Sequence, residues 1–311
     1  RETAPHGASA PPDLPAFLQQ TAAEGARESL RQRGEPARWA TVHAAGWSEM
    51  ARRRVFSLWF HRDVFAGPHP PSGPGAVHPL PVINEALEYA LRFRTGFLRF
   101  GGNEADMESG LWWLRDDGGA NLPLSDRLES ETLRLLNATG RIGEAELDWA
   151  VCAAFPGLLT PGARLVSACL RSYARETGPE TGEWSLRPED TPAQRAAALA
   201  SIRGMLIELG ARLGYAVTGA TPLEWRQDGE VVYTLAVISS AAFSRYLLDA
   251  AFTAGPARRL LILPGGRAAL AHYKLRRDPR LKQAVEKNWR MVKFRLVRAL
   301  ANDPDITREP F

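Results

Sequence analysis

The sequence predicts an α+β protein in four stretches. These are a tail or linker over 1–22, a helical region over 23–100 with a Pro-rich connector at 65–81, a three-helix segment with a strand over 101–190, and an α/β domain over 191–311. Three observations carry this prediction. Apolar residues recur at helical spacing through most of the first 175 positions. Asp228-Gly229 separates two strand-like runs and marks a hairpin. "RRLLILPG" (258–265) is a continuous apolar run of the kind found in strands covered on both faces. A chain of 311 residues, 45% hydrophobic and 24% charged, is long enough for about two domains with a buried core. The first residue is Arg with no leader pattern after it, so the chain reads as a piece of a longer protein. No run of about 18 apolar residues exists, so no membrane partner is expected.

Residues 1–15 are rich in Pro and Ala. Phe17 to Leu30 forms an amphipathic helical run that "RGEP" (33–36) breaks, because a residue before proline avoids the α region. A second run over about 39–62 carries Trp39, Val42, Trp47, Met50, Phe56 and Trp59. The connector 65–81 holds six prolines in 17 residues, too many for regular structure. A helix over about 82–96 follows. Trp112 and Trp113 could stack on bases, but packing against the first helix of the next bundle is the expected role. Ser125 is expected to cap that helix, with Asp126 and Glu129 in its first turn. The next helix, about 143–155, places Leu147, Val151 and Phe155 on one face. Thr160-Pro161 opens a third that carries Leu165, Cys169 and Tyr173. A short strand around Trp184–Leu186 follows.

Three short helices and a strand predict a winged-helix-like middle domain, whose third helix would enter the DNA major groove. Arg164, Arg171, Ser172 and Arg175 on that helix and Arg187 on the wing are the expected contacts.

In the last domain, Leu199, Ile202, Leu206, Leu209 and Leu213 share one helix face, and Gly214 ends the helix. Strands are expected at 215–218, 223–227 and 230–239, a helix at 240–252, a strand at 258–265, a short helix at about 266–274 and a long helix at about 279–301. The order α-β-β-β-α-β across 192–264 resembles the core of the restriction-endonuclease-like superfamily. That resemblance implies an acid near the second strand and an acid-x-lysine pair on the third. In the family, two carboxylates bind a divalent metal and the lysine helps activate water. Glu224 in "PLEW" matches the first acid. Where the pair is due, the chain has Ala236, Val237, Ile238 and Ser239, and its first lysine is Lys274. Asp228 and Glu230 sit at the hairpin end of the strand. The expectation is a degenerate nuclease-like core without catalytic residues, cofactor or metal. The alternative is an active metal-dependent nuclease whose site has migrated to Glu224, Asp228 or Glu230.

A broader resemblance rests on "RGEPARWATVHAAG" (33–46), "LPLSDRLE" (122–129), "FPGLLTPGARLVSACLRSYA" (155–174), "WSLRPED" (184–190) and "NWRMVKFRLVRALA" (288–301). Together they are similar to the C-terminal, non-catalytic portion of large bacterial DNA methylases found among anti-phage defence genes. The chain lacks an NPPY-type tetrapeptide, and Phe100-Gly101-Gly102 is too little for an AdoMet loop.

Charge points the same way. Residues 251–311 hold 14 Lys and Arg against 5 Asp and Glu, while the whole chain carries only +4. A basic end on an otherwise acidic chain predicts a polyanion surface, with duplex DNA the expected partner beside other domains or subunits of a modification or defence complex. The expected phosphate contacts are Arg258, Arg267, Lys274, Arg276, Arg277, Lys282, Lys287, Arg290, Lys293, Arg295 and Arg298. A module docking an acidic protein is the other non-enzymatic reading.

The remaining chemistry is sparse. There is no P-loop motif. His61, His69 and His78 read as surface residues of the connector. Ser239 and Ser240 lack the glycine flanks of a nucleophile elbow and read as helix caps. Cys152 and Cys169 fall on apolar helix positions and read as buried thiols in a reducing cytoplasm.

Overall fold

The computed structural model describes residues 14–55, 79–93, 96–178, 182–253, 255 and 257–308. The protein is a mixed α+β chain that divides into two compact units, Arg1–Asn121 and Leu122–Phe311. Each unit has its own apolar core. No described helix is long and apolar enough to cross a membrane. Phe56, Trp59, His61, His69, His78 and the tail through 13 lie outside the described residues.

The first unit contains α1 (Leu14–Arg33), α2 (Trp39–Arg52), α3 (Pro79–Phe93) and a hairpin of β1 (Phe97–Phe100) and β2 (Leu111–Leu114). Leu18, Ala22, Ala26 and Leu30 put the apolar stripe of α1 against Val42, Met50 and Leu87. Gly25 lets α1 and α2 approach closely: a Cβ there would lie 2.7 Å from the Ala45 carbonyl oxygen. The hairpin pairs Phe97 with Leu114 and Phe100 with Leu111. It therefore straddles the expected boundary at 100/101, and residues 101–121 join the first unit. Trp112 and Trp113, expected to pack on the bundle that follows, are buried in this core.

The second unit opens with α4 (Leu124–Thr139), β3 (Arg141–Gly143), α5 (Glu144–Ala154), α6 (Ala163–Tyr173), β4 (Ala174–Gly178) and β5 (Glu183–Leu186). Its three strands form an antiparallel sheet in the order β3-β5-β4. β3 and β4 escaped sequence reading because "RIG" and "ARETG" have no apolar alternation to betray them. The N-cap position of α4 is Pro123, so Ser125 is a buried first-turn residue and not the cap. Likewise α6 starts after Gly162, and the Thr160 hydroxyl donates to the Phe155 carbonyl at 2.8 Å.

The unit continues with α7 (Pro192–Arg212), β6 (Ala216–Thr218), β7 (Leu223–Gln227), β8 (Glu230–Val237), two short helices α8 (Ser244–Leu248) and α9 (Ala250–Thr253), and β9 (Arg258–Leu263). Then come α10 (Ala268–Arg277), α11 (Pro279–Asn288), β10 (Trp289–Lys293) and α12 (Phe294–Asn302). The five strands are ordered β10-β9-β8-β7-β6. β6, β7 and β8 form an antiparallel meander, whereas β8, β9 and β10 run parallel. Asp228 (φ 51°) and Gly229 (φ 86°) make the tight turn between β7 and β8 in the left-handed region that the Asp-Gly pair foretold.

The long helix expected over 279–301 is instead α11, β10 and α12. Trp289 pairs with Arg259 and Lys293 with Leu263. The reason lies in β9, which is largely buried and has two hydrogen-bonding edges. β8 satisfies one, and the other needs a second strand. One sheet face packs Ala236, Leu261 and Trp289 onto the core shared with α4, α5 and α6. The other packs Leu235, Ile262 and Trp225 onto α7 and α12 through Leu206, Leu209 and Val297.

Candidate nucleic-acid interface

Two of the basic residues expected at phosphates are internal. Lys274, on α10, has no exposed surface. Its ammonium donates to Asp126 at 2.7 Å, to the Ala241 carbonyl at 2.9 Å, and to Glu129. The second oxygen of Asp126 accepts the Ser244 amide at 3.1 Å. The other oxygen of Glu129 accepts the Ala241 amide at 2.6 Å and the Tyr173 hydroxyl. Burial alone would lower the Lys274 pKa, but the Glu129 and Asp126 carboxylates outweigh it and hold the ammonium above its ordinary range. Burial, with Glu129 beside it, likewise holds the Tyr173 phenol well above its usual value.

This cluster contains two acids and a lysine near the end of β8, the composition expected of a nuclease. Its chemistry is different. Every carboxylate oxygen has a donor, and Asp126 and Glu129 are buried along with the lysine. The network ties α4 and α6 to the segment after β8 and to α10. The backbone amides at 241 and 244 are met by α4 carboxylates; Ser240 accepts only a long contact from Ala242 at 3.4 Å.

Arg267 is the second correction, at 2% exposure. Its guanidinium bonds Asp190 and the Ser172 carbonyl and lies over the Tyr173 ring, 3.6 Å from the centroid. Burial lowers its pKa. Lys274 and Arg267 cannot reach a phosphate without unfolding the unit.

The other predicted basic residues remain at the surface. Arg258, Arg276, Lys282, Lys287, Arg290, Arg295 and Arg298 are exposed; Arg277 and Lys293 are half-buried. Apart from Arg258 at the start of β9, they occupy consecutive elements from the end of α10 to α12. β10, the edge strand of the sheet, lies in the middle of that series. Arg258 donates to the Tyr233 hydroxyl at 3.1 Å, and Lys282 meets Glu286 at 3.7 Å. A cavity of about 580 Å³ at the start of β9 and β10 is lined by Arg258, Lys287, Arg290 and Trp289, with Glu286 its one acid.

In the first half of the unit, Arg164 and Arg171 on α6 are exposed, and so is Arg175, which lies on β4 and not on the helix. Arg187 is half-buried and donates to the Arg171 carbonyl at 2.8 Å.

The acids proposed for a migrated nuclease site are not brought together. Glu224 pairs with Arg226 at 2.7 Å on its own strand and lies opposite Thr234. Asp228 and Glu230 are exposed at the turn, about 10 Å along the strands from Glu224. Among the described residues, no group of three or more His, Cys, Asp or Glu could hold a metal ion. Both cysteines are free. Cys169 is buried, and burial pushes its thiol up to about 12. Cys152 is exposed, against expectation, because it lies on the outer face of α5 beside exposed Trp149. No protein-family model and no curated protein matches the chain.

Proposed function

We propose that this chain is the DNA-binding or DNA-positioning part of a larger bacterial DNA-modification or defence protein, with a nuclease-like core that does not cut. The observation that carries this reading is the basic flank at the β10 edge. Seven exposed Lys and Arg residues lie on β9, α10, α11, β10 and α12. Lys282 meets Glu286, and exposed cations clustered in this way suit contacts to phosphates.

The topology supports the same reading. A β-meander followed by parallel strands, in the order β10-β9-β8-β7-β6, is compatible with a restriction-endonuclease-like core. The order α4-β3-α5-α6-β4-β5, with β5 between β3 and β4, is compatible with a winged helix. The empty third-strand positions Ala236–Ser239 and the Glu224–Arg226 pair argue against metal-dependent cleavage.

Electrophoretic mobility shifts on duplex DNA test the reading. Affinity is expected to fall steeply between about 50 and 200 mM salt, and Lys287→Ala and Arg290→Ala are each expected to flatten the log–log slope by about 0.9. An affinity that barely changes across that range overturns the reading. Retention of an acidic protein without any DNA shift would favour the protein-docking alternative.

A further inference from the structure

α6 is the helix expected to enter a major groove, yet α10 packs alongside it. Between them runs a groove of about 650 Å³. Arg164, Ser167 and Arg171 line it from α6; Gly266, Leu270 and Tyr273 line it from the α10 side. No acidic residue lines it. Arg164 and Arg171 are exposed, and their guanidinium groups form no ion pair among the described residues. They are seven residues apart on one helix, about 10 Å along its axis, and so can meet separate phosphates. Tyr273 offers a half-buried aromatic ring on the facing wall.

A helix reads duplex DNA by entering a major groove about 12 Å wide, and here α10 occupies one flank of α6. The basic face of α6 is instead one wall of a cleft. A cleft with cations on one wall and an aromatic ring on the other has the components of single-strand binding, where the backbone follows the positive wall and a base stacks on the ring. We propose that the α6–α10 groove binds single-stranded DNA. The proposal rests on the DNA-binding reading above and specifies which form of DNA this face accepts. Arg164 and Arg171 contact phosphates, and Tyr273 stacks on an unpaired base.

Fluorescence anisotropy with a short labelled oligonucleotide, single-stranded and as its duplex, tests it on the 311-residue chain. The single strand is expected to bind more tightly than the duplex. Arg164→Ala and Arg171→Ala should each flatten its salt slope by about 0.7. Tyr273→Ala should weaken single-strand binding by about fivefold or more. Tyr273 also packs against the core, so the two exposed arginines are the decisive positions. Duplex binding that depends on Lys287 and Arg290, with single-strand binding unchanged by Arg164→Ala and Arg171→Ala, overturns the groove proposal and leaves the DNA-binding reading standing. Failure of both DNA forms to bind overturns both.

Discussion

Lys274 is the residue at which charge counting and folding part most sharply. In the sequence it is one of several cations near the C-terminus. In the fold it is held between Asp126 and Glu129, about 150 positions earlier. Replacing it leaves two carboxylates buried without their cation, so Lys274→Met should cost about 3–5 kcal/mol of stability. Urea denaturation would show this as a lower midpoint. Adding Asp126→Asn and Glu129→Gln should recover part of the loss, because the uncompensated charges are then gone. A wild-type midpoint for Lys274→Met would mean the network does not carry the unit. The sequence did hold a trace of this arrangement, since Asp126 and Glu129 share a face three residues apart on a helix whose Leu124, Leu128, Leu135 and Leu136 are buried. Locally that spacing indicates only acids in the first turn of a helix, because nothing nearby points to a distant lysine.

The surface ion pairs at the end of α2 allow a prediction at the scale of elements. Hydrogen bonds from Arg52, and then Arg53, hold the Glu49 carboxyl down at about 2, against an ordinary value of 4.5. Its folded pKa is depressed. The stability it contributes is therefore present above about pH 4.5 and is lost as the pH falls toward 2. These groups face solvent, so the contribution is about 1 kcal/mol or less. Acid titration of thermal stability should show this loss, and Glu49→Gln should remove it. Strand β10 shows where element-level reading failed. Leu281, Val285, Trp289, Val292 and Leu296 recur as a helix would demand, yet Trp289–Lys293 is extended. The period of its apolar residues fitted a helix. The free edge of β9 required a strand, and that requirement lies outside the segment itself.

At the scale of the whole molecule, the boundary after Asn121 separates two independent cores. Residues 122–311 alone should therefore fold with a cooperative thermal transition and, on the proposed reading, retain whatever DNA affinity the full chain shows. Loss of either would show that the second unit depends on the first. By itself the sequence determined the α+β class, the β7–β8 hairpin, the amphipathic helices and the apolar character of β9, because these follow from local periodicity and turn chemistry. It also located the excess of positive charge. Only the tertiary structure decided which of those charges face solvent, which strand completes the sheet and where the two units divide. Ion pairing across 148 positions and strand pairing between distant segments are long-range choices. They are made by whichever buried polar group or unpaired edge most needs a partner, and no window of sequence contains both halves of that need.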